Sequence, residues 1–386
     1  MLRSIFTCGL AGLFLLLVPS HAAAGRRDAG LTVTTSAGFD SNPLQLSESL
    51  EGGPFAQLSV DARFNDQFSK RVGYFMSAGA RSRFHDSDLD DADVTQADAQ
   101  AGMGFILTER GETRLSLAVG GGFALERSTF IDPVTGEAYE FSVDPNTFVP
   151  IPDRFSANVT RGFANLRLRL SDGLLLMLDS ELARTDYTHD YEVVPGMEPL
   201  DDRSWRVRPG LSWRVGSKVR LDATFDWGHR SYDELSAVDE SAVSVSGSQR
   251  AYRSAGSRLT VTVAPARNLD VSVGVLAADQ ADLQAGYYDS LATGGFVALA
   301  GAVTPTLRLT LSASQMTFDY DNATVPNDPT GVRLSSGAFR AAGRIEKSFG
   351  RHLMLFGELG TDRESNNDPI YAYQRNFAFT GLRFAL

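Results

Sequence analysis

Residues 204–215 read SWRVRPGLSWRV, and three guanidinium groups, Arg206, Arg208 and Arg214, fall on one parity of that stretch. Alternate spacing recurs at Arg81 and Arg83 and at Arg167 and Arg169, and single arginines follow at Arg114, Arg220, Arg230, Arg340 and Arg344. A planar guanidinium presents a rigid fork of donors that suits carboxylate, sulfate or phosphate oxygens. Set at every second position, such forks would recognise anions moving along a surface without making or breaking a bond. The competing account is structural: arginines opposite acids on neighbouring strands brace a wall. Acids of the same parity, among them Asp179, Glu181, Asp222 and Asp226, are available for that role.

Groups for covalent chemistry are sparse. His85 stands beside Asp86, and His189 lies in TDYTHDY, but no nucleophile motif such as GxSxG accompanies either. The stretch 86–97, DSDLDDADVTQA, opens like a calcium loop, yet Asp91 holds the sixth position, where glycine is needed, and Ala97 the twelfth, where an acid is needed. No catalytic residue, metal or cofactor is assigned, and the chain is expected not to be an enzyme.

The elements that position the arginines are strands. Residues 55–65, FAQLSVDARFN, place Ala56, Leu58, Val60, Ala62 and Phe64 on one parity and Gln57, Ser59, Asp61 and Arg63 on the other. Period-two alternation marks a strand with one apolar and one polar face. Similar segments fill the chain, joined in turn by short connections such as SDG (171–173) and GSK (216–218) and by long ones such as 128–154 and 232–249. That pattern predicts about sixteen antiparallel strands, with fourteen or eighteen as bounds, closed into a transmembrane up-and-down barrel. Charge at every second position suits a wet interior and would be costly in a dry core between sheets. The apolar parity then meets lipid, with Phe64, Phe84, Phe105, Trp213, Trp227 and Phe384 suited to interfacial girdles. Strand 290–303 is apolar on both faces, and 307–320 changes parity near Ser314–Gln315, as a bulge would cause.

The N-terminus, MLRSIFTCGLAGLFLLLVPSHAAAG, has Arg3, an apolar run and small residues at Ala22–Ala24, the layout of a cleaved secretory signal peptide over 1–24. Its run of about 15 apolar residues falls short of the roughly 20 that span a bilayer as a helix. Cys8, the one cysteine, leaves with it, so the barrel over 25–386 has no thiol chemistry. A formal charge of −11 argues against a nucleic-acid partner.

The last eight residues, FTGLRFAL, resemble the C-terminal strand signal by which barrel-insertion machinery reads bacterial outer-membrane proteins, with Gly381, Phe384 and Leu386 in place and Phe379 where a polar residue is common. That resemblance implies an outer membrane, with lipid and lipopolysaccharide around the barrel. The run SAGFDSNPLQL (36–46) resembles the first strand of barrels in polysaccharide- and surface-lipoprotein-export proteins. By analogy with sixteen-stranded porins, the loop 128–153 folds inward, and Asp132, Glu137, Glu140 and Asp144 would face the arginines across a constriction. The expected function is passive, anion-leaning passage of small polar solutes. Two alternatives stay open: an export conduit for an acidic polysaccharide or surface protein with a periplasmic partner, and a plugged structural or enzymatic barrel. A homo-oligomer stays open as well.

Overall fold

A computed structural model describes residues 26–46, 52–86, 92–130, 139–144, 147–188, 197–239, 241, 243–325, 328 and 330–386. The signal-peptide expectation over 1–24 lies outside them. The strands are β1 (Arg26–Asp40), β2 (Gly53–Gln67), β3 (Val72–His85), β4 (Val94–Arg110), β5 (Thr113–Ser128), β6 (Glu140–Asp144), β7 (Thr147–Pro150), β8 (Ala157–Ser171) and β9 (Leu174–Tyr187). They continue as β10 (Asp202–Val215), β11 (Val219–Val238), β12 (Ser244–Ala266), β13 (Leu269–Asp282), β14 (Ser290–Thr304), β15 (Leu307–Thr324), β16 (Arg333–Phe349), β17 (Leu353–Asn366) and β18 (Tyr373–Ala385). All but β6 and β7 form one closed antiparallel barrel in which sequence neighbours pair and β1 closes on β18. Sixteen strands therefore make the wall, and β6–β7 is a small hairpin in the β5–β8 connection.

Paired residues point the same way, so the register passes one parity around the whole wall. Glu181 pairs with Arg206, Gly228 with Ser254, Arg344 with Glu358, Glu358 with Phe379, and Gly38 with Phe55. The face that carries these residues is concave, because the rings of Phe75 on β3 and Phe163 on β8 meet at 6.0 Å although β4 and β5 lie between their strands. The convex face is apolar. Away from the bulges at the short turns, the exposed large apolar side chains of the wall all lie on it, including Leu182, Trp213, Trp227, Val275 and Leu359. Leu182 and Leu359 are each 67% exposed, a cost in water that lipid removes. Phe64, Phe84, Phe105 and Phe384 share this face.

Two local expectations are corrected. β15 has no bulge at Ser314–Gln315, since its pairing with β16 runs unbroken from Leu307–Lys347 to Asp319–Ser335. The parity change arises because Met316, Phe318 and Tyr320 continue the concave face while Thr317 turns outward, where its hydroxyl meets that of Thr293 at 2.9 Å. Most of 232–249 is not loop: β11 and β12 run on as a two-stranded ribbon above the barrel rim, with irregular register beyond Ser231. Its acids and serines read as loop, but the edge-to-face contact of Tyr232 and Tyr252, 6.2 Å apart, carries the pairing upward.

Phenylalanine also occupies the concave face, against the polar rule for that parity. Five of these rings lie over a glycine of an adjacent strand: Phe296 over Gly274, Phe75 over Gly102, Phe163 over Gly120, Phe356 over Gly381 and Phe377 over Gly360. At Gly274 a methyl group would collide with the ring. The absent side chain lets the ring lie along the wall, which buries apolar surface without filling the bore.

Candidate functional site: the bore wall and its seam

All twelve predicted arginines lie on the concave face, and the wall divides into two kinds of sector. In the first, charges are matched. Arg167 Nη1 is 2.6 Å from Asp179, Arg208 Nε 2.6 Å from Asp226, Arg220 Nε 2.8 Å from Asp222, and Arg230 Nη2 2.6 Å from the buried Asp202. Arg206 reaches Glu181 at 3.4 Å and Asp226 at 3.8 Å. Apart from Arg220–Asp222, which lies within β11, this sector, centred on β8–β11, is the cross-strand ladder that the competing reading of the arginines requires. Near the short turns Arg114 pairs in register with Arg169, and Arg214 with Arg220. Arg114, Arg169 and Arg214 make no ion pair among the described residues, so like charges stand side by side there.

The second sector is the seam where β1 meets β18. Asp40, fully buried at the end of β1, receives Nε of Arg375 at 2.9 Å and 2.7 Å, and a further bond from Arg375 Nη2. Arg83 approaches the same carboxylate to 3.9 Å from β3. Asn42 follows, buried: its amide donates to the carbonyls of Leu46 at 2.8 Å and Gln374 at 3.2 Å, and its oxygen accepts from Leu46 N–H at 3.0 Å. The Gly-Phe-Asp-Ser-Asn run is thus a closure device. Gly38 lets β1 lie close against the Ala378 carbonyl and Phe379 Cα of β18, Asp40 binds Arg375, the Ser41 hydroxyl accepts from Asn376 N–H at 2.8 Å, and Asn42 ties the loop to β18.

Below that latch, arginines stack on the inward rings: Arg83 over Phe55 at 4.6 Å and Arg344 over Phe356 at 4.1 Å. Arg344 also binds Glu346 at 2.9 Å and Glu358 at 3.0 Å. A recess of about 560 Å³ opens beside these groups, lined by six arginines, Arg81, Arg83, Arg340, Arg344, Arg375 and Arg383, with Thr34, Ser59 and Asp61 among the remainder. Arg81, Arg340 and Arg383 make no hydrogen bond or ion pair among the described residues. Sequence reading missed Asp40 and the inward phenylalanines. The available signals were Phe55, which breaks the polar parity of its strand, and Phe379, which departs from the usual terminal pattern.

The third long loop is described only in part. Asp132, Glu137 and the side chain of Asp144 lie outside the described residues. Glu140 opens the β6–β7 hairpin opposite Pro150 and is exposed. The hairpin's base packs Phe130, Tyr139, Phe141 and Val149 around the buried Ile151, together with Met197 of the β9–β10 connection. Arg154 adds a bond to the Glu198 carbonyl at 3.2 Å. His189 also lies outside the described residues. His85 packs its ring against Phe55 at 5.9 Å, and its backbone N–H donates to Asp93 at 2.7 Å. Among the described residues no cluster of three or more His, Cys, Asp or Glu could hold a metal ion.

No family model matches the chain, and no curated protein matches it. Solved structures do. OccAB1 of Acinetobacter baumannii aligns with a TM-score of 0.51 at 9% identity, over 93% of this chain and 96% of that one. A BenF-like porin from Pseudomonas fluorescens Pf-5 aligns at 0.48 and 11%, over 93% and 99%. A bacterial polysaccharide outer membrane secretin aligns at 0.47 and 9%, over 93% and 98%. At these identities the likeness is one of fold. The chain has the fold of a bacterial outer-membrane β-barrel, with the apolar exterior that such a membrane requires.

Proposed function

We propose that the protein is a passive outer-membrane channel for small polar solutes, with a preference for anions. The carrying observation is the concave face: polar and charged side chains line it, most of its phenylalanines lie over glycines, and its unmatched charges at the seam are mostly arginines. Matched ladders contribute little net field to a passing ion. Free guanidinium groups facing the bore raise the local concentration of anions. No bond-making step is needed for this role. The Gly38–Asn42 run serves barrel closure, so it lends no separate support to the export alternative.

The test is conductance of the purified, refolded protein in planar bilayers under a salt gradient. Stepwise currents whose reversal potential has the sign of an anion-preferring pore are expected. A closed trace would refute the channel, and a cation-preferring potential would refute the anion preference alone.

A further inference from the structure

We infer that the seam recess is a binding station for small organic dicarboxylates, held by Arg81, Arg340 and Arg383. The inference rests on the anion-channel reading and adds a place and a ligand class to it.

Six guanidinium groups line the recess, but three are committed to the wall. Arg375 belongs to Asp40. Arg344 belongs to Glu346 and Glu358. Arg83 is held by Gln57 Oε1 at 3.3 Å, by the Phe55 ring, and by the approach to Asp40. Among the described residues the other three make no hydrogen bond or ion pair, and two of them share one row of the sheet. Arg383 pairs with Thr34, Thr34 with Ser59, and Ser59 with Arg81. Two cations thus flank two hydroxyls, the outer strands being about 14 Å apart at the usual spacing of about 4.8 Å. Arg340 enters from β16 on the other side of the seam.

Acids also face the recess. Glu358 is engaged by Arg344, while Asp61 lies near Asp98, both carboxylates converging on the space above Gly79. One unmatched carboxylate of the lining, with Asp362 in register opposite Arg340 beyond it, therefore stands against three unmatched guanidinium groups. The volume, about 560 Å³, falls in the range of small-molecule sites, roughly 300–1,000 Å³. A single carboxylate would engage one end of the Arg383–Arg81 row. A two-headed anion engages both ends, and the hydroxyls of Thr34 and Ser59 can donate to its oxygens. Phe55, Phe356 and Phe377 are buried against the wall, so the surface offered is chiefly polar.

The test is calorimetric titration of the full-length, detergent-solubilised protein with succinate, acetate and inorganic sulfate. Saturable succinate binding is expected, with acetate and sulfate at least about tenfold weaker, since each charge-assisted bond contributes over 1 kcal/mol. The R81Q/R383Q variant should weaken succinate by about tenfold or more, and R340Q by less. R253Q, on the lipid-facing side of β12, should bind as wild type. Heat-modifiable gel mobility checks that each variant is folded, and R340Q serves as the second variant if R81Q/R383Q is not. A flat wild-type titration, or unchanged binding in both variants, would overturn the station. Sulfate binding as tightly as succinate would overturn the dicarboxylate assignment. Calorimetry needs no conduction: binding without anion-preferring currents sinks the channel reading alone, and anion-preferring currents without binding sink the station alone.

Discussion

Asp40 and Arg375 face each other across the line where the first strand meets the last, with Nε 2.9 Å and 2.7 Å from the two carboxylate oxygens. The residues are 335 positions apart in sequence. Their pairing therefore forms only when the barrel closes. Asp40 is fully buried, so removing its charge leaves Arg375 facing Arg83 with no anion between them. The D40A variant should lose about 3 kcal/mol of stability, the lower end for breaking a buried pair, because water in the bore relieves part of the cost. Urea unfolding from lipid vesicles, followed by tryptophan fluorescence, measures it. The D40N/R375Q pair should recover much of the loss. Equal loss in the single and double variants would refute a specific latch.

The Phe296–Gly274 contact has a different physical basis, sterics rather than charge. Ala at position 274 would place a methyl group against the Phe296 ring, which must then swing into the bore. G274A should cost about 1–3 kcal/mol, as overpacking does, and should lower single-channel conductance because the displaced ring obstructs the bore. Adding F296A to G274A should restore the conductance. A G274A channel with wild-type conductance would show that the ring need not lie flat.

These two contacts also mark what local sequence could reveal. The strand pattern was legible because alternation is a local property: SWRVRPGLSWRV announces its two faces without any knowledge of its neighbours. The alternation of short and long connections carried the strand number, and the twelve arginines fall on one face of the wall because parity propagates through the register. Partners were not legible. Whether Arg208 is matched depends on Asp226 in the next strand, and whether Arg81 is free depends on strands at both ends of the chain. Inward phenylalanines defeat the polar-inside rule, since a facing glycine on the neighbouring strand supplies the room for the ring, as Gly274 does for Phe296. The β11–β12 ribbon defeated it differently, its serine-rich polar composition masking paired strands.

Sector identity makes a prediction about selectivity. Asp226 holds Arg208 at 2.6 Å and Arg206 at 3.8 Å, so its charge cancels much of the field in that part of the ladder. D226N should release Arg208, leave Arg206 to Glu181 alone and increase anion preference, read as a larger reversal potential of the same sign under a salt gradient. R208Q/D226N, which removes one charge of each sign, should return the potential towards wild type. No change in D226N would mean that ions do not pass near this wall.

The expected signal peptide gives a prediction independent of conduction. An apolar run too short to span as a helix, followed by Ala22–Ala24, should be removed on export, so protein isolated from outer membranes should begin after Ala22 or Ala24. Intact-mass spectrometry reads the site directly. Retention of Met1 in correctly inserted protein would refute the signal-peptide assignment.

Strand order makes the last prediction. The backbone groups of Leu386 and Leu31 bond reciprocally, at 3.2 Å and 2.9 Å, at the short-turn end of the seam, while Asp40 and Arg375 hold the other end. Phe384 sits between them on the lipid-facing side of β18, paired in register with Val33 and Leu353. If insertion machinery reads this strand before the barrel closes, F384A should slow assembly more than it lowers the stability of the finished barrel. Pulse-chase measurement of heat-modifiable protein in cells separates the two, when set beside urea unfolding of the purified variant. A proportional loss in both would assign Phe384 to packing alone: a residue that only packs against lipid and its neighbours has no reason to act earlier than the seam it borders.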